Sequence, residues 1–121
     1  MENTQTIDRN ETRETISSEK VDGTAVYGRD GEQIGSVHHL MIGKRDGKVR
    51  HAVVSYGGFL GMGEDYFPLP WNELTYDESR GGYVVNRDVA QLKEGPRYRR
   101  DEEPSWDRAY ESQLTGYYGA I

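Results

Sequence analysis

Residues 48–56 read KVRHAVVSY, the most strand-prone stretch of this 121-residue chain. An Asp-Gly pair at residues 46–47 predicts a tight turn before it, so residues 34–43 are expected to pair with it as a β-hairpin. Ala52, Val53 and Val54 are consecutive and apolar, which predicts a strand buried on both faces. One face then lies toward a core, and the other lies under a helix or a partner subunit.

The strand expected at residues 34–43 changes its inward-facing pattern partway along. Val37 is an apolar residue at an odd-numbered position, whereas Leu40 and Ile42 are apolar residues at even-numbered positions, which face the other side of a regular strand. A β-bulge or sharp bend at the two histidines between Val37 and Leu40 would bring both halves onto the same face.

Four further β-prone runs flank this hairpin. Two of them, residues 66–70 and 71–76, are contiguous, and turns that contain glycine separate the others. Pro68 and Pro70 lack a backbone N–H donor, so their run belongs at a sheet edge or a barrel corner. The pattern predicts one small all-β barrel or sandwich of about six strands, followed by a short helix that Asp88 caps. The four runs are residues 24–27, 66–70, 71–76 and 81–86, and the short helix is residues 89–94.

The two ends of the chain differ in composition from this central part. Residues 1–18 contain few aliphatic residues, too few to offset the entropy of ordering them, so residues 1–20 are expected to be a mobile acidic arm. The barrel is assigned to residues 21–97. Residues 98–121 are assigned to a charged linker and a C-terminal amphipathic helix.

The C-terminal helix is predicted from a stripe of large side chains. Trp106, Tyr110 and Leu114 are spaced i, i+4 and i+8, which places them on one helical face, and two glycines end the helix near Tyr117 and Tyr118. A short helix is marginal alone, so this one is expected to dock on its own barrel or on that of a second copy. These five residues are therefore interface candidates.

Residues 57–63 form a glycine-rich connector that carries Phe59, Leu60 and Met62. Large apolar side chains in a loop need cover. They either fill the mouth of the barrel or bury against a second subunit, and both interpretations stay open.

The composition excludes several classes of function. The chain has no cysteine, which excludes disulfides, thiol nucleophiles and thiolate metal sites. No apolar run approaches the roughly 20 residues needed to cross a bilayer, and residues 1–20 lack the pattern of a signal peptide, so a cytoplasmic protein is expected. The net charge of −6 is shared equally among arm, barrel and tail, so no segment has a basic nucleic-acid footprint.

The remaining candidate metal-binding and catalytic residues give little indication of a site. His38 and His39 point to opposite faces of a regular strand, and no carboxylate stands at a ligand spacing from them or from His51. No metal site and no cofactor are therefore expected. Neither a nucleophile elbow nor a cleft of convergent groups is indicated, so the protein is not expected to be an enzyme.

One basic cluster surrounds the turn of the hairpin and consists of Lys44, Arg45, Lys48 and Arg50. Asp46 lies among them, which favours a solvated turn over a nucleic-acid site. RNA binding through these four cations stays an alternative, because phosphate binding depends on such groups.

Six segments between Val21 and Pro96 resemble, in their order and spacing, the PRC-barrel domain. This small β-barrel occurs in the photosynthetic reaction-centre H subunit and in the C-terminal domain of the ribosome maturation factor. The resemblance implies a half-open antiparallel barrel of about six strands, a tendency to form homodimers or larger assemblies, and docking onto other macromolecules. It does not imply catalysis. The six segments are residues 23–27, 30–37, 47–49, 51–61, 67–71 and 92–96.

The sequence therefore predicts a non-catalytic protein-interaction or assembly module that forms a homodimer in the bacterial cytoplasm and binds a further, unknown protein. Two alternatives stay open. One is an RNA-binding or ribosome-assembly-associated module, and the other is a peripheral partner of a photosynthetic or respiratory membrane complex that does not insert into the bilayer.

Overall fold

The computed structural model describes residues 6–8, 11–57 and 65–119. Within these ranges the strands are β1 (Thr6–Asp8), β2 (Glu11–Thr12), β3 (Ala25–Tyr27), β4 (Gln33–Ile42), β5 (Val49–Tyr56), β6 (Asp65–Pro70), β7 (Leu74–Asp77), β8 (Gly82–Val85) and β9 (Tyr98–Arg99). The helices are α1 (Ser18–Val21), α2 (Val89–Lys93) and α3 (Arg108–Tyr118), and a 3₁₀ turn covers Trp71–Glu73.

Strands β3 to β9 form one seven-stranded sheet that does not close, in the order β7-β8-β3-β4-β5-β6-β9. All six predicted strands are present, and the half-open barrel is confirmed. The sheet is mixed, however, because β3 and β8 pair in parallel while the other neighbours are antiparallel. Four strands lie between β3 and β8 in the chain, a connection long enough for parallel pairing.

The hairpin of β4 and β5 forms as predicted through the Asp46-Gly47 turn, where Gly47 has a φ of 71°. The pairing register shifts between Val37 and His39. This is the β-bulge that the change of apolar pattern predicted, and it keeps both halves of β4 on the same core.

Strand β5 is buried on both faces, also as predicted. Ala52 and Val54 belong to the main core inside the curved sheet, whereas Val53 packs with Tyr66 and Tyr98 in a second cluster on the outer face. The main core also contains Val21, Val26, Val37, Phe67, Leu69, Leu74, Tyr83, Val85, Leu92 and Tyr118.

Strand β6 pairs with β5 along its whole length but with β9 only at Asp65 and Tyr66. Pro68 and Pro70 lie beyond this short pairing, at the sheet edge where the sequence placed them. Strand β9 is an addition, because Tyr98 and its neighbour were expected to be linker. Two residues are too few to show the alternation by which a strand is recognised, and Tyr98 is ordered by its ring contact with Tyr66.

The N-terminal segment differs from the mobile arm expected at residues 1–20, because residues 11–21 pack on the barrel. The Nζ atom of Lys20 lies 2.5 Å from Oε1 of Glu11, and the Tyr76 hydroxyl donates to Oε2 of Glu11 over 2.9 Å. The Glu11 side chain is only 4% exposed. The segment is thus anchored by a polar contact, which hydropathy does not reveal.

Helix α3 begins later than the sequence predicted. The side chain of Asp107 accepts a hydrogen bond from the backbone N–H of Tyr110 over 2.9 Å and caps the helix, so Trp106 precedes it. The helix ends as expected, after Tyr118, where Gly119 has a φ of 95°.

Candidate interaction surfaces

The outer face of β5 and β6 is covered by the chain's own C-terminal segment, residues 98–119. Trp106 packs edge-on against Tyr98 and Tyr110, with ring centroids 6.3 and 5.3 Å apart. The Trp106 ring also lies 6.2 Å from the ring of the buried His51. The cover that the sequence assigned to a helix or a partner subunit is therefore supplied by the same chain.

Arg87 fixes the end of α3 to the barrel. Its Nε donates to Oε1 of Glu73 over 2.8 Å, and its Nη2 donates to the backbone carbonyl of Tyr118 over 3.1 Å. The guanidinium carbon lies 5.2 Å from the centroid of the Tyr118 ring. Arg87 thus joins the turn after β6 to the C-terminus of α3 and favours docking of the helix on its own barrel.

The interface residues predicted from the sequence fall into three groups. Four of them pack within the chain, two buried and two half-buried: Leu114, Tyr118, Trp106 and Tyr110. Tyr117 is 37% exposed, and its hydroxyl donates to the backbone carbonyl of Gln91. The last three, Phe59, Leu60 and Met62, lie outside the described residues.

The four cations of the hairpin turn are all exposed. Arg50 pairs with Asp46 at 3.8 Å. The side chains of Lys44, Arg45 and Lys48 make no ion pair or hydrogen bond within the part of the chain that the structure describes. Three cations without a partner among the described residues therefore lie on one turn of a protein whose net charge is −6.

Apolar groups adjoin these cations. Ile42 is 49% exposed, and its cross-strand partner is Val49. Half-buried Trp71 makes a T-shaped contact with Tyr83, with 5.4 Å between the ring centroids, and it also borders a cleft of about 290 Å³. The cleft is lined by Asp46, Lys48, Val49, Arg50, Trp71 and Asn72. We call the following set the hairpin surface: Ile42, Lys44, Arg45, Lys48, Arg50 and Trp71.

Sequence reasoning found the cations of the hairpin surface but not its apolar part. Ile42 was expected to face inward with Leu40, but the register shifts again between Met41 and Ile42 and the side chain is exposed. Trp71 was expected to continue a strand and instead opens the 3₁₀ turn. The signals that could have revealed both are the glycine after Ile42 and the proline before Trp71.

The histidines lie near the C-terminal segment. The Nδ1 atoms of His38 and His39 are 2.8 Å apart, and His38 packs on Tyr66. Burial lowers the pKa of His39 and of His51, which keeps both rings neutral near pH 7. Within the described ranges no three potential metal-ligand side chains of His, Asp or Glu converge.

An apolar recess lies between α2 and the sheet. As the described residues line it, its volume is about 10 Å³, room for about one water molecule. It is lined by Ile34, Val54, Tyr56, Phe67, Leu69, Val89, Leu92 and Lys93. The recess therefore has the dimensions of a packing defect in the core.

None of the helices in the described part of the chain combines the length and the apolar character needed to span a bilayer.

Comparison with known proteins agrees with this architecture. An uncharacterized protein of Deinococcus radiodurans is 29% identical over 92 residues, which make up 76% of this chain and 30% of that protein. The chain thus spans less than a third of that relative's length. A family model of the PRC-barrel domain matches residues 13–92, a range that includes part of the packed N-terminal segment. The resemblance noted in the sequence is confirmed, and the chain belongs to the PRC-barrel domain family.

Proposed function

We propose that the protein is a non-catalytic protein-interaction or assembly module of the bacterial cytoplasm. The hairpin surface supports this most, because exposed Ile42 and half-buried Trp71, which borders the cleft, lie beside three cations that have no ion pair within the described residues. The apolar outer face of β5 and β6, in contrast, is covered by residues 98–119. Trp and Arg are among the residues that contribute most to binding energy at protein interfaces.

We also propose that the module forms a homodimer through the edge strand β7. A domain of this size buries a limited core, and a subunit interface adds apolar burial. The sheet is open, and β7 has a strand neighbour on one side only within the described residues. The edge at β6 is less suited to pairing, because Pro68 and Pro70 cannot donate backbone hydrogen bonds.

Light scattering from micromolar to lower concentrations tests the dimer. We expect a dimer that dissociates on dilution and that Thr75→Lys weakens, because a lysine on an edge strand opposes pairing between chains. Thr75 is exposed on β7, and the exposed Thr115 of α3 offers the matched control, Thr115→Lys. A protein that is folded and monomeric at every concentration would contradict the proposed dimer.

A module that binds RNA is the second candidate, and it is favoured by the side chains of Lys44, Arg45 and Lys48, which have no ion pair within the described ranges. The carboxylate of Asp46 among them and the net charge of −6 count against it. Fluorescence anisotropy with a structured RNA at low salt tests this second candidate. Binding that weakens with salt and disappears when the hairpin cations are neutralised would support this candidate, and a flat titration would remove it.

A further inference from the structure

We propose that the hairpin surface binds an extended acidic segment of another protein, with an aliphatic or aromatic side chain of that segment seated beside Trp71. The inference rests on the proposed function and names the chemistry of the partner at its main surface.

The charge of the surface selects an acidic partner. Residues 44–50 contain four cations and one carboxylate, a local charge of +3 in a chain of net charge −6. Lys44, Arg45 and Lys48 have no ion pair within the described chain, so an incoming carboxylate would displace no internal partner. Such a surface accelerates the encounter with an oppositely charged segment and rejects basic ones.

The apolar part selects a protein over a nucleic acid. Ile42 is 49% exposed and offers a phosphate neither charge nor a hydrogen-bond donor. The indole Nε1 of Trp71 makes no hydrogen bond within the described residues and is not among the buried unsatisfied atoms, so it is free to donate to a backbone carbonyl. Asp46 lines the same cleft and would repel phosphate groups.

The size of the cleft fits an extended segment. A volume of about 290 Å³ is near the lower limit for small-ligand pockets and suits one or two side chains. A second copy of this chain is a poorer match, because its exposed acidic residues 101–103 directly follow Arg99 and Arg100. We therefore assign the surface to a different protein.

Fluorescence anisotropy of the full chain with labelled short peptides tests this. The probes are an acidic peptide that contains Leu and Trp, an acidic peptide of equal charge without apolar residues, a basic peptide with the same Leu and Trp, and a structured RNA. We expect the first probe to bind tightest and to weaken as salt rises.

Variants of exposed residues locate the site. Lys44→Glu together with Arg45→Glu is expected to weaken binding of the first peptide about tenfold. Ile42→Ser should weaken binding of the first peptide and leave the affinity for the purely acidic peptide unchanged. The matched control is Arg100→Glu with Arg108→Glu, two exposed cations elsewhere, and it should bind like the unmodified protein. Far-ultraviolet circular dichroism checks that each variant is folded.

Several results would overturn the inference. These are failure of both acidic peptides to bind, equal weakening by the control pair, and tighter binding of RNA than of the first peptide. Light scattering on the Lys44→Glu/Arg45→Glu variant separates the two proposals. Loss of the dimer in this variant would assign the surface to a second copy and overturn the inference. An unmodified protein that forms the dimer but binds no acidic peptide would also overturn the inference, and it would leave the proposed function standing.

Discussion

The hydroxyl of Tyr118 is buried without a hydrogen-bond partner in the described residues. A buried polar group in this state costs about 1–3 kcal/mol. Tyr118→Phe keeps the ring contact with Arg87 and removes that cost, so the free energy of unfolding is expected to rise by about 1 kcal/mol. Urea unfolding followed by tryptophan fluorescence measures it.

Tyr117→Phe is the matched control for that variant. The Tyr117 hydroxyl donates to the backbone carbonyl of Gln91, so removing this hydroxyl is expected to lower the free energy of unfolding slightly. If Tyr118→Phe instead destabilised the protein, its hydroxyl would have a partner and the packing of α3 described here would be wrong.

His39 and His51 are expected to make the fold less stable in mild acid. Burial is the largest cause that lowers the pKa of both rings. In the unfolded chain these histidines bind a proton at about pH 6.5, whereas in the folded protein they do so only at lower pH. The free energy of unfolding is therefore at its full value above about pH 6.5 and falls as the pH decreases below about 6.5. The nearby charges are His38, Glu103 and Asp22 for His39, and Glu111 and Arg50 for His51.

Urea midpoints measured from about pH 7.5 to about pH 5.5 test this loss of stability. We expect the midpoint to fall over that interval and the dependence to become shallower in His39→Gln, because this variant removes one of the two groups. A midpoint that stays level or rises toward acid would show that the folded protein accepts both protons without penalty.

The N-terminal segment is an element held by charge, and Glu11→Gln is expected to loosen it. Removing one partner of a fully buried ion pair costs roughly 3–5 kcal/mol, and because the Lys20 side chain is 26% exposed we expect a loss of about 2 kcal/mol. Thermal unfolding measures the loss. Glu14→Gln, at an exposed site of the same segment, is the control, and equal effects of the two substitutions would show that residues 11–21 do not pack as described.

Elements that depend on local patterns could be predicted from the sequence. The Asp46-Gly47 turn, the bulge after Val37 and the burial of Ala52 to Val54 on both faces each follow from a few neighbouring residues. Strand β9 could not be predicted, because it is two residues long. The start of α3 could not be predicted either. A helix that begins one turn earlier fits the stripe of large side chains equally well, and Trp106 is excluded only because Asp107 acts as the cap.

The candidate site was predicted only in its charged half, for a related reason. Lys44, Arg45, Lys48 and Arg50 are visible as a cluster because they are adjacent in the chain. Ile42 and Trp71 are far apart in sequence. Trp71 lines the cleft through the turn after β6, and Ile42 lies opposite Val49, another lining residue, because of a second register shift. Such contacts between distant residues carry no local signal.

At the scale of the whole molecule, the chain covers much of its own barrel. Residues 11–21 pack beside Tyr76 of β7, and residues 98–119 cover the outer face of β5 and β6. The hairpin of β4 and β5 carries exposed cations and an exposed isoleucine on a protein of opposite net charge. This arrangement supports the central claim, that the molecule is an interaction module whose working surface is the hairpin surface.

Photo-crosslinking in cells of the source organism tests that claim most directly. A photoreactive amino acid replaces Lys44 in one variant and Gln113, an exposed residue of α3, in the other. We predict that the probe at residue 44 crosslinks to acidic segments of another protein, identified by mass spectrometry, and that the probe at residue 113 does not. Crosslinks that are equal at both positions, absent at residue 44, or formed there with RNA would contradict the account.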